Sequence, residues 1–340
     1  MKKILAIIIL GFVLVLVVGG LSLYNLPLGQ AMELEIPPEL AQVQSAVQQQ
    51  EDPPPNKTCG GKGLVKIISL GQSSPMDAGH FGADAVRLIW VYYDDPSVVI
   101  LALPSDLIVD AAVIEPDLDM PLNDIYQLVY DETSSNKPEV KTREATEAVA
   151  QAVLDNYGFI PEHYLTVQEE AFTELVDQAN IYIDVPETVS DGPGGLDDVP
   201  AGVYDPMSGK VTLDYVRILD PALGPYPRIS ERYGRQNQVL FALLDSALTW
   251  ENLDDIPEMI KTARKMVVTD LSVSQMNSLA CMLEEANNKI LLTQVPAELI
   301  TVEGRQIYEN PQDPDNPAYP DLPPSIEAMV EQIEAGFAEE

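Results

Sequence analysis

The chain has 340 residues, of which 46% are hydrophobic, enough to build one large α/β domain or two small ones. It carries 19 lysines and arginines against 54 aspartates and glutamates, so the formal net charge at neutral pH is −35. Such acidity argues against binding to nucleic acid and against electrostatic adhesion to anionic lipid, because both need a basic surface.

The start of the chain predicts a membrane anchor at residues 1–24. Lys2 and Lys3 precede Ile4–Gly20, a run with no charged or strongly polar residue that is long enough to cross a bilayer. The two lysines keep the N-terminus in the cytoplasm, so we expect a single-pass cell-membrane protein with an extracytoplasmic domain. A cleaved signal peptide is the alternative interpretation. Residues 25–57 then predict an extended, proline-containing linker.

The chain has two cysteines, Cys59 and Cys281. An even count in an exported protein favours a disulfide, which here would join the start of the folded domain to a late helix. Two unpaired thiols are the alternative.

A β-hairpin is predicted early in the domain, after a first strand at Leu64–Leu70. Asp84–Tyr93 and Val98–Leu103 are its strands, with a turn between them that contains proline. Asp84 begins the first strand and Asp106 follows the second, so antiparallel pairing brings the two carboxylates to one edge of the sheet. Two acids there would suit Mg²⁺, although aspartates are also common turn residues.

The middle of the chain alternates helices and strands. The amphipathic helix Glu144–Tyr157 ends at Gly158 and precedes a strand, a helix and a second strand, at His163–Val167, Gln168–Gln178 and Ile181–Val185. This rhythm predicts an α/β fold with helices packed on a sheet. Lys210–Leu219 fits either a helix or a strand. Further helices are predicted at Leu122–Tyr130, Val273–Asn288 and Ile326–Phe337, and strands at Met266–Val268 and Leu291–Thr301.

Four of the eight arginines lie within residues 217–235. The segment ends in an apolar helical pattern, and Ser230 is the expected N-cap. Arg232 and Arg235 would then share one face of the first turns, where the helix dipole disfavours cations. A phosphate bound between them would compensate, which predicts an anion site. Ion pairs with nearby acids are the alternative.

The order of motifs resembles the LytR-CpsA-Psr family over roughly Leu64–Thr301. Arg232-Tyr-Gly-Arg235-Gln236 is similar to the Arg-x-x-Arg-Gln of that family, and Tyr215-Val-Arg217 to its Tyr-Val-Arg. Leu103-Pro-Ser-Asp106 resembles the Ile-Pro-Arg-Asp motif, and the region of Asp84 resembles the Thr-Asp-Thr motif. Leu122-Asn123 is similar to its Lys-Ile-Asn region.

The resemblance implies a three-layer α/β/α domain with a central mixed sheet at residues 58–301, behind one N-terminal membrane helix and before an acidic, proline-rich tail at 302–340. It implies transfer of a glycopolymer from a polyprenyl-pyrophosphate lipid to peptidoglycan or a similar acceptor. The implied residues are catalytic Arg217, Arg232, Arg235 and Asp106, substrate-binding Gln236 and Asn123, and Mg²⁺-binding Asp84 and Asp106.

Several cations of the family pattern are missing here. Gly82 and Ser105 stand where arginines precede the two aspartates, Leu122 replaces a lysine, and Leu219 replaces the second arginine after Tyr-Val-Arg. Arg228 is a candidate substitute in substrate binding. These departures leave a second hypothesis open, in which a non-catalytic descendant binds polyprenyl phosphate or envelope polymer, or regulates a partner.

Overall fold

A mixed sheet of six strands is the centre of the fold. The computed structural model describes residues 30–38, 40, 58–73, 82–192, 195–221, 225–249, 267–286, 289–296, 299–300, 304 and 325–336. The strands in this part of the chain are β1 (Leu64–Gln72), β2 (Ala83–Tyr92), β3 (Ser97–Leu103), β4 (Ile108–Asp110), β5 (Asp119–Pro121), β6 (His163–Gln168), β7 (Ile183–Val185), β8 (Gly202–Tyr204), β9 (Val267–Thr269) and β10 (Ile290–Gln294).

The six strands of the central sheet lie in the order β10-β3-β2-β1-β6-β9. The pairs β1–β6 and β3–β10 are parallel, and the other neighbours are antiparallel. The helices of the described residues are α1 (Leu122–Glu132), α2 (Pro138–Tyr157), α3 (Glu169–Ala179), α4 (Gly209–Arg217), α5 (Pro225–Thr249), α6 (Val273–Ala286) and α7 (Ile326–Gly336).

Each face of the sheet carries its own apolar cluster. Alternate side chains of a strand point to opposite faces, so Leu88 and Trp90 of β2 pack with α1, α2 and α7, while Ile89 and Val91 pack with α3, α4, α5 and α6. The predicted mixed α/β fold with a central mixed sheet is therefore confirmed.

The predicted hairpin is present as β2 and β3, with Val86 opposite Leu103. Gly158 closes α2 as predicted, in the left-handed conformation at φ 70°, and donates its N–H to Leu154 O at 2.9 Å. Most of Lys210–Leu219, for which the sequence fitted either a helix or a strand, belongs to helix α4. Ser208 caps its start, accepting from Val211 N–H at 3.4 Å.

One local prediction is wrong, and one predicted strand has a partner outside the central sheet. Helix α5 begins at Pro225, so Ser230 lies inside it and is not the N-cap. Proline is compatible with the first turn of a helix, because the N–H groups there have no intrahelical partner. The predicted strand at Ile181–Val185 exists as β7, but it pairs with β8 in a separate two-stranded sheet and does not extend the central one.

A disulfide joins Cys59 to Cys281 on α6, as predicted, with their Cα atoms 5.4 Å apart. It closes a loop across 222 residues of sequence separation. The link holds the start of the domain onto the helices of the α3–α6 face, since both cysteines pack in the cluster on that side.

Segments from both ends of the chain pack beside α2. Glu35 of the predicted linker exchanges two hydrogen bonds with Gln151, at 2.8 and 3.1 Å. Near the other end, Ile326 and Val330 of α7 are buried in the core. The described residues include no helix with the length and apolar character to cross a membrane. The predicted anchor at residues 1–24 lies outside them.

Candidate functional site

A cavity of about 200 Å³ lies between the central sheet and helices α3, α4 and α5. The end of β1 and the first half of β2 line its sheet side. Most of the remaining wall is apolar: Val167, Phe172, Leu175, Leu213, Val216, Val239, Leu240 and Leu243. The polar side chains on the wall include Gln72, Asp84, Arg87, Glu169, Arg217 and Gln236. The cavity therefore suits a ligand with an apolar part and a charged or polar end.

An irregularity in the sheet places Asp84 at this cavity. Gly71 pairs with Ala85 and Gln72 with Ala83, so Asp84 is an extra residue on β2 with no partner on β1. Such a bulge redirects the side chains next to it. Asp84 consequently lines the cavity together with its neighbour Ala85.

Arg217 provides a positive charge opposite this aspartate. Its Nε lies 3.7 Å from Asp84 Oδ2, and its Nη1 lies 3.4 Å from Glu169 Oε2. Two carboxylates thus hold the guanidinium at the wall of the cavity. An anionic ligand would compete with these acids for Arg217, so a ligand of higher charge than a single carboxylate is favoured.

Arg235 fixes the end of the helix that carries Arg217. Its Nε donates to Tyr215 O at 2.7 Å, and its Nη2 donates to Ile218 O. The last carbonyls of a helix have no intrahelical donor, so the guanidinium satisfies groups at the end of α4 that would otherwise lack partners. Burial lowers the pKa of Arg235, although Tyr215 and Glu231 partly oppose that change. Arg235 is not among the side chains that line the cavity.

Arg232 forms a second polar group beside the end of β3. Its Nη2 lies 3.3 Å from Ser105 Oγ and 3.9 Å from Asp106 Oδ1, and the side chain is almost fully buried. Burial alone disfavours the charge. Tyr233, Asp106 and Asp84 more than compensate, so the pKa of Arg232 lies above its ordinary value. Both predicted metal-binding aspartates thus stabilise the charged form of Arg232.

Three buried side-chain oxygens of the candidate site residues have no hydrogen-bond partner among the residues that the structure describes. They are Asp106 Oδ1, Asn123 Oδ1 and Gln236 Oε1. Asn123 is held next to Asp106 because its N–H donates to Ser105 O at 2.8 Å. Buried acceptors are normally paired, so these atoms mark a place where a cation or a ligand donor would be stabilised.

The sequence analysis did not identify Arg87 as a site residue. It lies in the middle of β2, opposite Ser69 on β1 and Ala102 on β3, and it lines the cavity. Its Nη1 donates to Asn237 Oδ1 at 2.8 Å. Burial lowers the pKa of Arg87 to about 10, so the side chain is charged at neutral pH. The signal in the sequence was a single charge inside the otherwise apolar stretch that follows Asp84 on β2.

The sequence model of the LytR_cpsA_psr family matches residues 41–316, which is most of the chain. The chain belongs to the LytR-CpsA-Psr family. This family is known for attaching wall teichoic acid and other glycopolymers to peptidoglycan. No curated protein matches the sequence significantly.

Solved structures share the LytR-CpsA-Psr fold with this chain. Protein gbs0355 from Streptococcus agalactiae is 16% identical with a TM-score of 0.56, covering 73% of this chain and 83% of that one. The LytR-Csp2A-Psr enzyme from Actinomyces oris is 19% identical with a TM-score of 0.53, covering 68% and 80%. TagV from B. subtilis is 17% identical with a TM-score of 0.50, covering 69% and 85%. At these identities the likeness establishes the fold.

The LytR-CpsA-Psr residues predicted from the sequence fall into three groups. Asp84, Arg217 and Gln236 line the cavity, Arg232, Asp106 and Asn123 form the group beside β3, and Arg235 holds the end of α4. The side chain of Arg228 lies outside the described part of the structure. Arg232 and Arg235 do not share the start of a helix, because α5 begins about two turns before Arg232.

The positions that lack family cations are occupied in other ways. A Cβ atom at Gly82 would lie 3.1 Å from Asn123 O, so a side chain there would require a shift of the backbone. Ser105 is buried, and its N–H donates to Tyr233 OH at 2.7 Å. Leu219 packs against Tyr233 and Ala102. Among the described side chains, Arg87 and Arg217 are the cations that line the cavity.

Proposed function

We propose that the protein transfers a glycopolymer from a polyprenyl-pyrophosphate carrier to peptidoglycan or a similar acceptor of the cell envelope. The observation that carries this proposal is the cavity itself, in which an apolar wall is combined with Arg217, Asp84 and a second arginine. A prenyl pyrophosphate has the same division into an apolar chain and a compact anion.

The substrate would be oriented by this division. The prenyl chain would lie against the apolar residues of α3, α4 and α5, and the pyrophosphate would lie beside Arg217. The glycan, which is large and polar, would remain in solvent. Family membership supports the glycan as substrate, and the cavity supports the lipid carrier.

In the proposed reaction, a hydroxyl oxygen of the acceptor attacks the phosphorus that carries the glycan. A phosphodiester forms, the bond from that phosphorus to the bridging oxygen breaks, and polyprenyl phosphate leaves with the bond's electron pair. The hydroxyl proton would pass to a carboxylate, for which Asp106 is the candidate because its Oδ1 has no hydrogen-bond partner among the described residues. Arg217 and Arg232 would stabilise the negative charge on the leaving phosphate.

Mg²⁺ is the proposed cofactor, and the donor set fits a hard cation that prefers oxygen ligands. Asp84 and Asp106 would hold it, and the unpartnered Asn123 Oδ1 offers another oxygen. The described residues contain no cluster of three histidine, cysteine or acidic side chains with metal-site geometry. In proteins Mg²⁺ is usually bound by one or two carboxylates together with substrate phosphate and water. When bound, it would neutralise charge on the pyrophosphate.

A second function, binding without catalysis, is favoured by one observation. Gly82, Ser105 and Leu219 supply no charge, and Gly82 has no room for a side chain without a backbone shift. Loss of one donor to a developing charge typically slows a reaction by about 10²–10³. A site lacking several such donors would still hold a prenyl phosphate while transferring its glycan slowly or not at all.

The proposed location is the cell membrane, with the domain on the extracytoplasmic side and residues 1–24 as the anchor. The disulfide between Cys59 and Cys281 supports export, because disulfides persist in oxidising compartments. The partners of the protein at that location would be the lipid-linked substrate and the cell-wall polymer.

Incubation of the full-length chain with a pyrophosphate-linked prenyl glycan, a peptidoglycan acceptor and Mg²⁺ tests these functions. Release of prenyl phosphate together with labelled acceptor, both lost in Arg217→Ala, supports the transferase. Tight retention of the lipid without turnover supports the binding protein. A chain that neither binds nor converts the lipid would contradict both proposals.

A further inference from the structure

The charge environment of Arg87 differs from that of the other arginines whose side chains the structure describes. Those four each have a carboxylate within 4.0 Å: Arg143, Arg217, Arg232 and Arg235. No ion pair joins Arg87 to any described residue, and its one hydrogen bond there goes to the neutral amide of Asn237. In a chain with 54 acidic residues, the absence of a carboxylate beside a half-buried arginine needs a reason.

The position of Arg87 relates it to the cavity and not to the core. It lies on the same face of β2 as Ala85 and Ile89, one pleat further into the sheet than Ala85, which is about 7 Å. Ala85 and Arg87 line the cavity, while Ile89 is buried in the cluster beneath. Asn237 reaches it from α5, next to the cavity-lining Gln236. The guanidinium is thus held at one nitrogen and borders the cavity.

The positive charge of Arg87 at the border of the cavity is unfavourable until an anion binds to it. Moving a cation out of water is costly without a charged partner, and the two described carboxylates of the cavity wall, Asp84 and Glu169, already pair with Arg217. The lowered pKa of Arg87, about 10, reflects that burial and leaves the charge intact at neutral pH. A ligand anion in the cavity would provide the missing partner, and a guanidinium presents paired donors that match phosphate oxygens.

We propose that Arg87 is a second anion-binding arginine of this cavity, supplied by the sheet, and that it binds the same phosphate group as Arg217. This inference rests on the proposed function and identifies a cation that compensates for the uncharged positions 82, 105 and 219. Arg217 gives the site a charge that is already paired with Asp84 and Glu169. Arg87 gives it a charge that no carboxylate of the described residues pairs with and that a ligand anion would complete.

The test is calorimetric titration of the full-length chain in detergent with geranylgeranyl pyrophosphate, its uncharged alcohol and inorganic pyrophosphate. We expect Arg87→Met to weaken binding of the prenyl pyrophosphate and of inorganic pyrophosphate about 10- to 100-fold. The alcohol should bind as it does to the wild type. Arg87→Lys should recover part of the loss, because lysine keeps the charge without the planar fork.

Arg143→Met is the matched control, because Arg143 already pairs with Glu144 and Glu147 on the other side of the sheet. It should leave all three affinities unchanged. The thermal transition of each variant separates binding from structure. The double variant Arg87→Met/Asn237→Leu removes both polar partners and should keep the wild-type transition while still losing the anion.

Every outcome of these titrations supports or contradicts the role of Arg87. Binding of geranylgeranyl pyrophosphate by Arg87→Met within twofold of the wild type overturns the role of Arg87 and leaves the proposed function standing. Equal loss of the alcohol and the pyrophosphate, with a lowered thermal transition, makes Arg87 a structural residue and also overturns the inference. A wild type that binds inorganic pyrophosphate through Arg87 but no prenyl compound supports Arg87 and contradicts the lipid substrate. A wild type that binds none of the three contradicts both.

Discussion

On the face of the sheet covered by α1, α2 and α7, the side chains of β2 enter a closed apolar core, whereas on the opposite face the same strand borders a cavity. Leu88 and Trp90 are fully buried on the first face. Arg87 on the second face keeps its charge next to about 200 Å³ of open space. One strand therefore packs into the core on both faces, and on the second face its first half also lines the proposed ligand cavity.

The largest expected effect is on the closed face. Trp90 stacks edge-on against Phe159 with ring centroids 4.9 Å apart, and its Nε1 donates to Glu334 of α7 at 3.3 Å. We expect Trp90→Ala to lower the free energy of unfolding in urea by about 3–5 kcal/mol. Leu240→Ala at the cavity wall should cost about 1 kcal/mol, because that side chain already lacks neighbours on one side. Equal losses at the two positions would contradict the difference between the faces.

The disulfide should stabilise the cavity side by a slightly smaller amount. Replacing both Cys59 and Cys281 by serine should lower the free energy of unfolding by about 2–5 kcal/mol, since the link closes a loop of 222 residues in sequence. Reduction of the wild type with dithiothreitol should lower the free energy of unfolding by the same amount. The same treatment should not change the free energy of unfolding of the double serine variant. An unchanged unfolding midpoint after full reduction would show that the cavity side does not depend on the link.

Arg235→Met should act on stability and on binding together. The variant removes the donors to Tyr215 O and Ile218 O, so we expect a loss of about 1–3 kcal/mol in urea unfolding. Because Arg217 is the last residue of the helix that these bonds hold, affinity for pyrophosphate should fall as well. Arg143→Met on the closed face serves as the control and should cost less than about 1 kcal/mol. Arg235→Met with wild-type affinity would show that α4 keeps its position without this arginine.

The smallest expected effect concerns a charge on the closed face. Burial raises the pKa of Glu147 on α2, with Arg143 opposing and Glu144 adding to the shift. An acid with a raised folded pKa destabilises the native state where it is ionised, and the penalty disappears as pH falls below its unfolded pKa of about 4.3. Glu147→Gln should therefore stabilise the protein at pH 7 by about 0.5 kcal/mol or less, with no gain near pH 3. A loss of stability at pH 7 would show that the pairing with Arg143 outweighs the burial.

The elements that sequence periodicity predicted best are those with strong local signals. The hairpin, the end of α2 at Gly158 and the disulfide were all predicted and are present. The antiparallel pairing of β2 and β3 was predicted as well, and it brings the start of β2, with Asp84, to the same edge as the end of β3, which precedes Asp106. Local signals failed where tertiary contacts decide. The prolines before Arg228 are typical of a loop, yet they begin α5, and β7 finds its partner in β8 instead of the central sheet.

The site was harder to predict than the fold. The cluster of arginines near Arg217 drew attention to α4 and α5, but it gave no sign that Arg235 bonds to the end of a helix while Arg217 lines the cavity. A motif reports spacing along the chain, and the direction of each side chain depends on packing. Arg87 was missed because it belongs to no cluster, and only the sheet register places it beside Asn237.

The contact between the N-terminal segment and α2 would limit the distance between the domain and a membrane in which residues 1–24 are the proposed anchor. Residues 25–57 would reach on the order of 100 Å if fully extended, but the segment around Glu35 is docked on Gln151, and Gln30 accepts from Arg143 at 3.0 Å. From the end of the proposed anchor at residue 24 to the docked Gln30, the chain can span at most about 20 Å. The domain would thus be kept within one protein diameter of the bilayer, close enough for its cavity to take up the prenyl chain of a carrier that resides in the lipid.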